Sequence, residues 1–129
     1  MPEATASSRV VLPRSVAVWA ARLFLALAFV AAGAVKIPSE GSMWVRLFES
    51  IGAGQWFRYF TAVVEIAGGL LMLVPRLTLP AVFLCASAMV GALLTHALLV
   101  GFGPPTVVVT VLLALTLFVG RSHGRGRVD

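Results

Sequence analysis

Cysteine and acid are both scarce in this chain: 129 residues hold one cysteine, Cys85, and five acidic side chains. A lone thiol excludes an intrachain disulfide and any Cys-x-x-Cys redox centre. Cys85 falls inside an apolar segment, where a buried and inert thiol is the expectation. Charged residues of either sign make up only 12 %, against 60 % hydrophobic, and the mean hydropathy is +1.00. A soluble domain of this size has too much surface to be so apolar, so the poverty of charge points to a membrane. The few charges lean basic, with a formal net charge of +5 and a pI near 11.2. No nucleic-acid partner follows from that balance. The basic residues bracket apolar runs instead of gathering on one amphipathic face, as the positive-inside rule expects.

What is present is a series of apolar runs, at residues 16–35, 57–74, 79–100 and 105–119. The first suits a hydrocarbon core roughly 30 Å thick; the last is short and uncharged. Prolines and glycines mark the breaks. Pro13 and Pro80 fit the first turns of the first and third helices, Pro38 stops the first, Pro75-Arg76 opens a tight turn, and "GFGPP" at 101–105 separates the last two. A cleaved signal peptide is the rival for the first run, with Ala32-Gly33-Ala34 as its small-residue site. The run is too long for that, and Arg22 lies inside it.

Between the first two runs, Trp44, Leu47, Phe48 and Ile51 recur at helical spacing, while Arg46, Glu49 and Ser50 face the other way. The spacing predicts a short amphipathic helix capped by Ser42 and ended by Gly52, lying in the membrane interface or over the end of the bundle. "WFRYF" at 56–60 reads as an aromatic belt at the water boundary. The expected fold is therefore all-α: a four-transmembrane-helix bundle with a short amphipathic interfacial helix between the first and second spans, in a single integral membrane domain with flexible tails at 1–13 and 121–129. Arg9, Arg14, Arg76, Arg121, Arg125 and Arg127 fall on the side of both termini, which places both termini in the cytoplasm.

Four ionisable residues lie within or at the edge of the runs: Arg22, Lys36, Glu65 and His96. A charge at mid-membrane costs roughly 2.5–3.5 kcal/mol on insertion scales, so such groups face the interior and pair. From the rise per residue, Glu65 lies on the order of 12 Å, and His96 about 7 Å, below the outer boundary where Lys36 sits, with Arg22 roughly 20 Å deep. Each rides a stripe that should face inward: Arg22, Ala26, Phe29, Gly33 and Lys36 on the first span; Glu65, Gly68, Gly69 and Met72 on the second; Cys85, Met89, Ala92 and His96 on the third. Each also has a plainer reading. Arg22 snorkels, Lys36 anchors the interface, His96 is neutral and bonded to a carbonyl, and Glu65 belongs to a structural ion pair. For Glu65 the bidentate donor Arg22 is the preferred partner over Lys36, with His96 meeting it through a ligand or water.

"RLFLALAFVAAGAVKI" (22–37), "EIAGGLLMLVPR" (65–76) and "MVGALLTHALLV" (89–100), in that order and spacing, resemble the first three spans of DoxX-like membrane proteins. The resemblance covers residues 16–119. It implies a four-helix protein of a bacterial cell membrane, with Arg22, Lys36, Glu65 and His96 as the family's polar positions. It also implies an accessory role: some relatives are small subunits of sulfur-oxidising, quinone-reducing complexes, and others accompany membrane oxidative-stress enzymes. The expected partners are the lipid bilayer and a membrane or peripheral oxidoreductase, and the expected ligand is quinone-like. No metal or haem site is evident, since there is no cysteine pair and no second intramembrane histidine. No catalytic residue is assigned, which weighs against an enzyme acting alone. Two alternatives remain. One is a small proton-coupled transporter of the four-helix type, like the small multidrug resistance proteins, although their glutamate is on the first span. The other is a non-catalytic membrane scaffold.

Overall fold

The computed structural model describes residues 14–38 and 42–125. Among them are five α-helices and no strand: α1 (Arg14–Ala34), α2 (Met43–Ile51), α3 (Gln55–Leu71), α4 (Thr78–Thr95) and α5 (Pro104–Arg125). A 3-10 turn, Pro75–Leu77, leads into α4, and a π turn, His96–Val100, continues it. The expected tail at 1–13, with Pro13, lies outside the described residues.

The helices follow one another around a square. α1 packs on α3, α3 on α4, α4 on α5, and α5 returns to α1 through a smaller contact. Leu25, Phe29, Met72, Ala81, Cys85, Met89, Leu112 and Val119 fill the centre. The outer faces are apolar as well, with Leu27, Phe83, Leu98 and Val107 among many large exposed side chains. A chain that is greasy both inside and outside matches a hydrocarbon surround. Among the described residues, three helical stretches are long and apolar enough to cross a membrane: Ser15–Ala34, Pro75–Val100 and Pro104–Arg125. The expectation of four rests additionally on α3, which has 17 residues.

α2 forms for the reasons its sequence predicts. The Ser42 side chain accepts from the Trp44 amide at 3.0 Å, and Gly52 closes the helix at φ 81° in the left-handed region, donating to the Glu49 carbonyl at 3.1 Å. Phe48 is buried, while Arg46, Glu49 and Ser50 are exposed. α5 departs from expectation. It runs through Gly120 and Arg121 to Arg125, well past residue 119. A glycine inside a helix costs only about 1 kcal/mol, and Gly120 lies where α5 meets α4; a Cβ there would stand 3.1 Å from Val82. His123 and Arg125 in the last turn favour the negative end of the helix.

α1 and α3 touch backbone to side chain. A Cβ on Gly33 would stand 2.6 Å from Ile66 Cγ1 and 2.7 Å from the Ala62 carbonyl oxygen, and one on Gly69 would stand 3.0 Å from the Ala26 carbonyl oxygen. Close approach of this kind is how membrane helices gain packing energy where no hydrophobic drive exists between them. Gly33→Ala should therefore destabilise the fold by about 1–3 kcal/mol through overpacking. Gly91→Ala, where an added Cβ meets nothing, should be neutral or stabilising. Thermal unfolding in detergent micelles compares the two, and equal midpoints would refute the close-packed α1/α3 seam.

Candidate functional site

The last carbonyls of a helix have no intrahelical N–H partner, and near the apolar layer water does not replace one. α1 ends at Ala34, and among the described residues no backbone N–H reaches the carbonyls of Lys36, Ile37 and Pro38 in the turn beyond it. Arg58, from the first turns of α3, fills that gap. Its Nη1 donates to all three, at 3.2 Å to Ile37 and 3.3 Å to Pro38, with the Lys36 carbonyl as the third acceptor. Its Nε donates to Gln55 Oε1 at 2.9 Å, and the guanidinium lies 4.3 Å from the Tyr59 ring centroid. The positive charge also meets the negative end of α1.

The opposite end of the same helix pair mirrors this arrangement. Arg22 of α1 reaches the C-terminus of α3, where Nη1 donates to the Met72 carbonyl at 2.9 Å and Nη2 to Thr78 Oγ1 at 2.7 Å. Thr78 Oγ1 in turn donates to the Pro75 carbonyl at 2.9 Å. Each of the two helices thus caps the other's C-terminus with an arginine.

Between the two caps lies the ion pair. Lys36 Nζ donates to Glu65 Oε2. The two residues are 6 % and 3 % exposed, and Arg22 and Arg58 are 4 % and 1 % exposed, so all four sit inside the protein. The ring of Trp44, from α2, covers the ammonium at 4.9 Å from Nζ to its centroid. Gln55 Nε2 donates to the Val45 carbonyl at 3.1 Å, and Phe48 packs against Phe57 with centroids 5.8 Å apart, which holds α2 over the pair.

The partner expected for Glu65 was Arg22, and that expectation is corrected: Glu65 pairs with Lys36, and Arg22 is taken by the end of α3. His96 is also apart. Its Nδ1 lies 3.1 Å from Thr106 Oγ1 in the first turn of α5, and that hydroxyl accepts from the Gly103 amide at 3.1 Å. Among the described residues no hydrogen bond or ion pair joins His96 to Glu65. The four sequence-predicted residues therefore resolve into the Lys36–Glu65 pair, one inner cap and one α4–α5 corner. Arg58 is the participant that sequence reasoning left in the aromatic belt. Its signal was indirect: Arg58 lies at the level where the end of α1 meets α3. Seven residues, two turns, separate it from Glu65 on the same face of α3. Among the described residues no group of histidine, cysteine or carboxylate side chains has the arrangement of a metal site.

The sequence profile described as the DoxX-like family matches residues 15–119, which takes in α1 to α4 and most of α5. The chain belongs to the DoxX-like family. No curated protein and no solved structure matches it. In this DoxX-like membrane protein, every buried side-chain nitrogen and oxygen among the described residues has a hydrogen-bond partner.

Removing one member of a buried pair leaves the other charged and unmatched, at a cost of about 3–5 kcal/mol. Lys36→Met and Glu65→Gln should each destabilise on that scale, and the double variant should cost clearly less than their sum. Denaturant unfolding in micelles measures all three. Strict additivity would mean that the two side chains do not interact.

Proposed function

We propose that this DoxX-like protein is an accessory, four-span subunit of a membrane-associated redox or oxidative-stress complex, and that it holds a small quinone-like molecule at the Lys36–Glu65 pair. The observation that carries this reading is the pair itself, buried in the α1/α3 seam beneath an aromatic ring. An ionisable group within a membrane span is by default a functional position. An ammonium has three donors and Glu65 takes one of them, so Lys36 is equipped to donate to a ligand carbonyl while the pair persists. The apolar walls suit the body of such a ligand.

In this reading α3 is the fourth span. With the turn that follows it to Val74 it is packed between α1 and α4, and its backbone length of about 26 Å approaches the hydrocarbon thickness. An even number of spans puts both termini on one side. The excess of arginine there supports a cytoplasmic placement in a bacterial cell membrane. The chain is then one integral membrane domain.

The transporter alternative shares the buried carboxylate. Against it stands the identity of the partner: the Lys36 ammonium occupies the place at Glu65 that a cationic substrate would need. A pure scaffold is the remaining reading, favoured by the two arginine caps, which are occupied entirely with holding helices together.

Affinity purification in mild detergent from the native membrane, with mass spectrometry of co-purifying proteins and lipids, separates these readings. A stoichiometric quinone that is lost in Lys36→Met, together with an oxidoreductase partner, is the expected result. A partner without quinone would favour the scaffold. Bulk lipid alone, combined with cationic-drug efflux that depends on Glu65, would overturn the proposal in favour of the transporter.

A further inference from the structure

We propose that α2 is a hinged roof that opens and closes over the Lys36–Glu65 pair and so regulates access to it from the membrane surface. The proposal rests on the reading of that pair as the ligand site and concerns how the site is reached.

Three observations converge on α2. The first is its independence. Ser42 caps its start and Gly52 its end, both with bonds internal to the segment, so α2 can move without uncovering a helix terminus. The second is the connection to α3. Ile51 and Gln55 are joined through Gly52, Ala53 and Gly54, and both glycines have positive φ, 81° and 92°. Gly54, at ψ 165°, occupies a region essentially reserved for glycine. Two such residues within three make a short segment able to absorb a large change in backbone angles, as hinges do. The third is the lightness of the attachment. Among the described residues, one hydrogen bond, from Gln55 Nε2 to the Val45 carbonyl, ties α2 to the bundle, and its packing includes the buried Phe48 against Phe57 and the Trp44 ring over Lys36. The α1/α3 seam below it holds the two arginine caps, the ion pair and the glycine contacts. The two layers differ greatly in what must break for each to open, and elements with few buried contacts open first.

Motion of the roof changes what surrounds the pair. Closed, the ammonium faces an aromatic ring. Open, its remaining donors face the membrane surface, where an entering molecule with a hydrogen-bond acceptor takes the place of Trp44.

The composition supplies a direct probe, because Lys36 is the only lysine in the chain. The full chain is placed in lipid nanodiscs and treated with a membrane-impermeant amine-acylating reagent, and modification of Lys36 is followed by peptide mass spectrometry alongside amide hydrogen exchange. In the wild type, Lys36 should acylate far more slowly than a free lysine, and the amides of α2 should exchange as a block ahead of those of α1 and α3. Gln55→Glu, which removes the donor to the Val45 carbonyl but keeps an oxygen acceptor for Arg58 Nε, should accelerate acylation about fivefold, the response of an opening equilibrium to the loss of one neutral hydrogen bond, with exchange in α4 and α5 unchanged. Trp44→Ala should accelerate it as well and serves as the second variant. Three results overturn the roof: wild-type acylation at the free-lysine rate, acylation unchanged in both variants, or exchange of α2 in step with α1 and α3. No ligand or partner is present in this experiment. A failed roof therefore leaves the quinone-like ligand to its own test, and a failed ligand leaves the motion of α2 intact.

Discussion

The seam between α1 and α3 is where this protein meets the strictest demand of its surroundings, that no charge and no helix-terminal carbonyl be left unmatched in an apolar medium. Arg58 closes the end of α1, Arg22 closes the end of α3, and Lys36 and Glu65 meet between them. The arrangement depends on distance. Glycines 33 and 69 let the two backbones come so near that an added Cβ would strike the other helix. That proximity brings an arginine on one helix within reach of carbonyls on the next. Packing and polar matching are one constraint here, since a wider seam would pull the guanidinium groups away from the carbonyls they cap.

The choice of cations follows from geometry. A guanidinium offers several N–H groups in a planar fork, which suits a helix end where carbonyls cluster. Arg58 spreads one nitrogen over three carbonyls, and Arg22 divides two nitrogens between a carbonyl and a hydroxyl. Lysine is a compact point charge on a flexible stem, which suits a single carboxylate. The cap and the pair are also linked covalently, because one of the carbonyls that Arg58 holds belongs to Lys36 itself. Arg58 thereby positions the backbone from which the Lys36 ammonium reaches Glu65, although it touches neither group of the pair.

Much of this was legible in the helical period. Arg22, Ala26, Phe29, Gly33 and Lys36 all turn inward in the structure, as do Glu65, Gly68, Gly69 and Met72, because a stripe of small and polar residues on an apolar helix has no other comfortable direction. The caps of α2 were legible for a similar reason, being local chemistry. The partner of Glu65 was not. Depth estimates put Lys36 above it and Arg22 below it at similar offsets, and the choice turns on where α3 ends, since an open helix terminus at the level of Arg22 claims that side chain first. His96 rides its stripe as expected, yet it lies at the corner where α4 gives way to a π turn, and the nearest hydroxyl there comes from α5. Arg58 was hidden by its neighbours, because an arginine among aromatics at a membrane boundary looks like an anchor until the helix end opposite needs a donor.

The pair and the caps divide the work of the buried charges in a way that bears on function. The arginines donate to backbone carbonyls and polar side chains that belong to the fold, and removing either opens a helix end. Lys36 and Glu65 close no helix terminus with their side chains; they match each other, beneath a helix that carries its own caps and is attached by little. In a molecule held by α1 and α3, the pair is thus the strongly polar feature that the proposed motion of α2 would bring into contact with the surroundings. A ligand that met it would find a donor and an acceptor already ordered by the seam below, and would need to displace only an aromatic ring. On the proposed reading, that separation between a rigid floor and a lightly held cover lets the same charges stabilise the bundle and also meet a molecule arriving from the membrane surface.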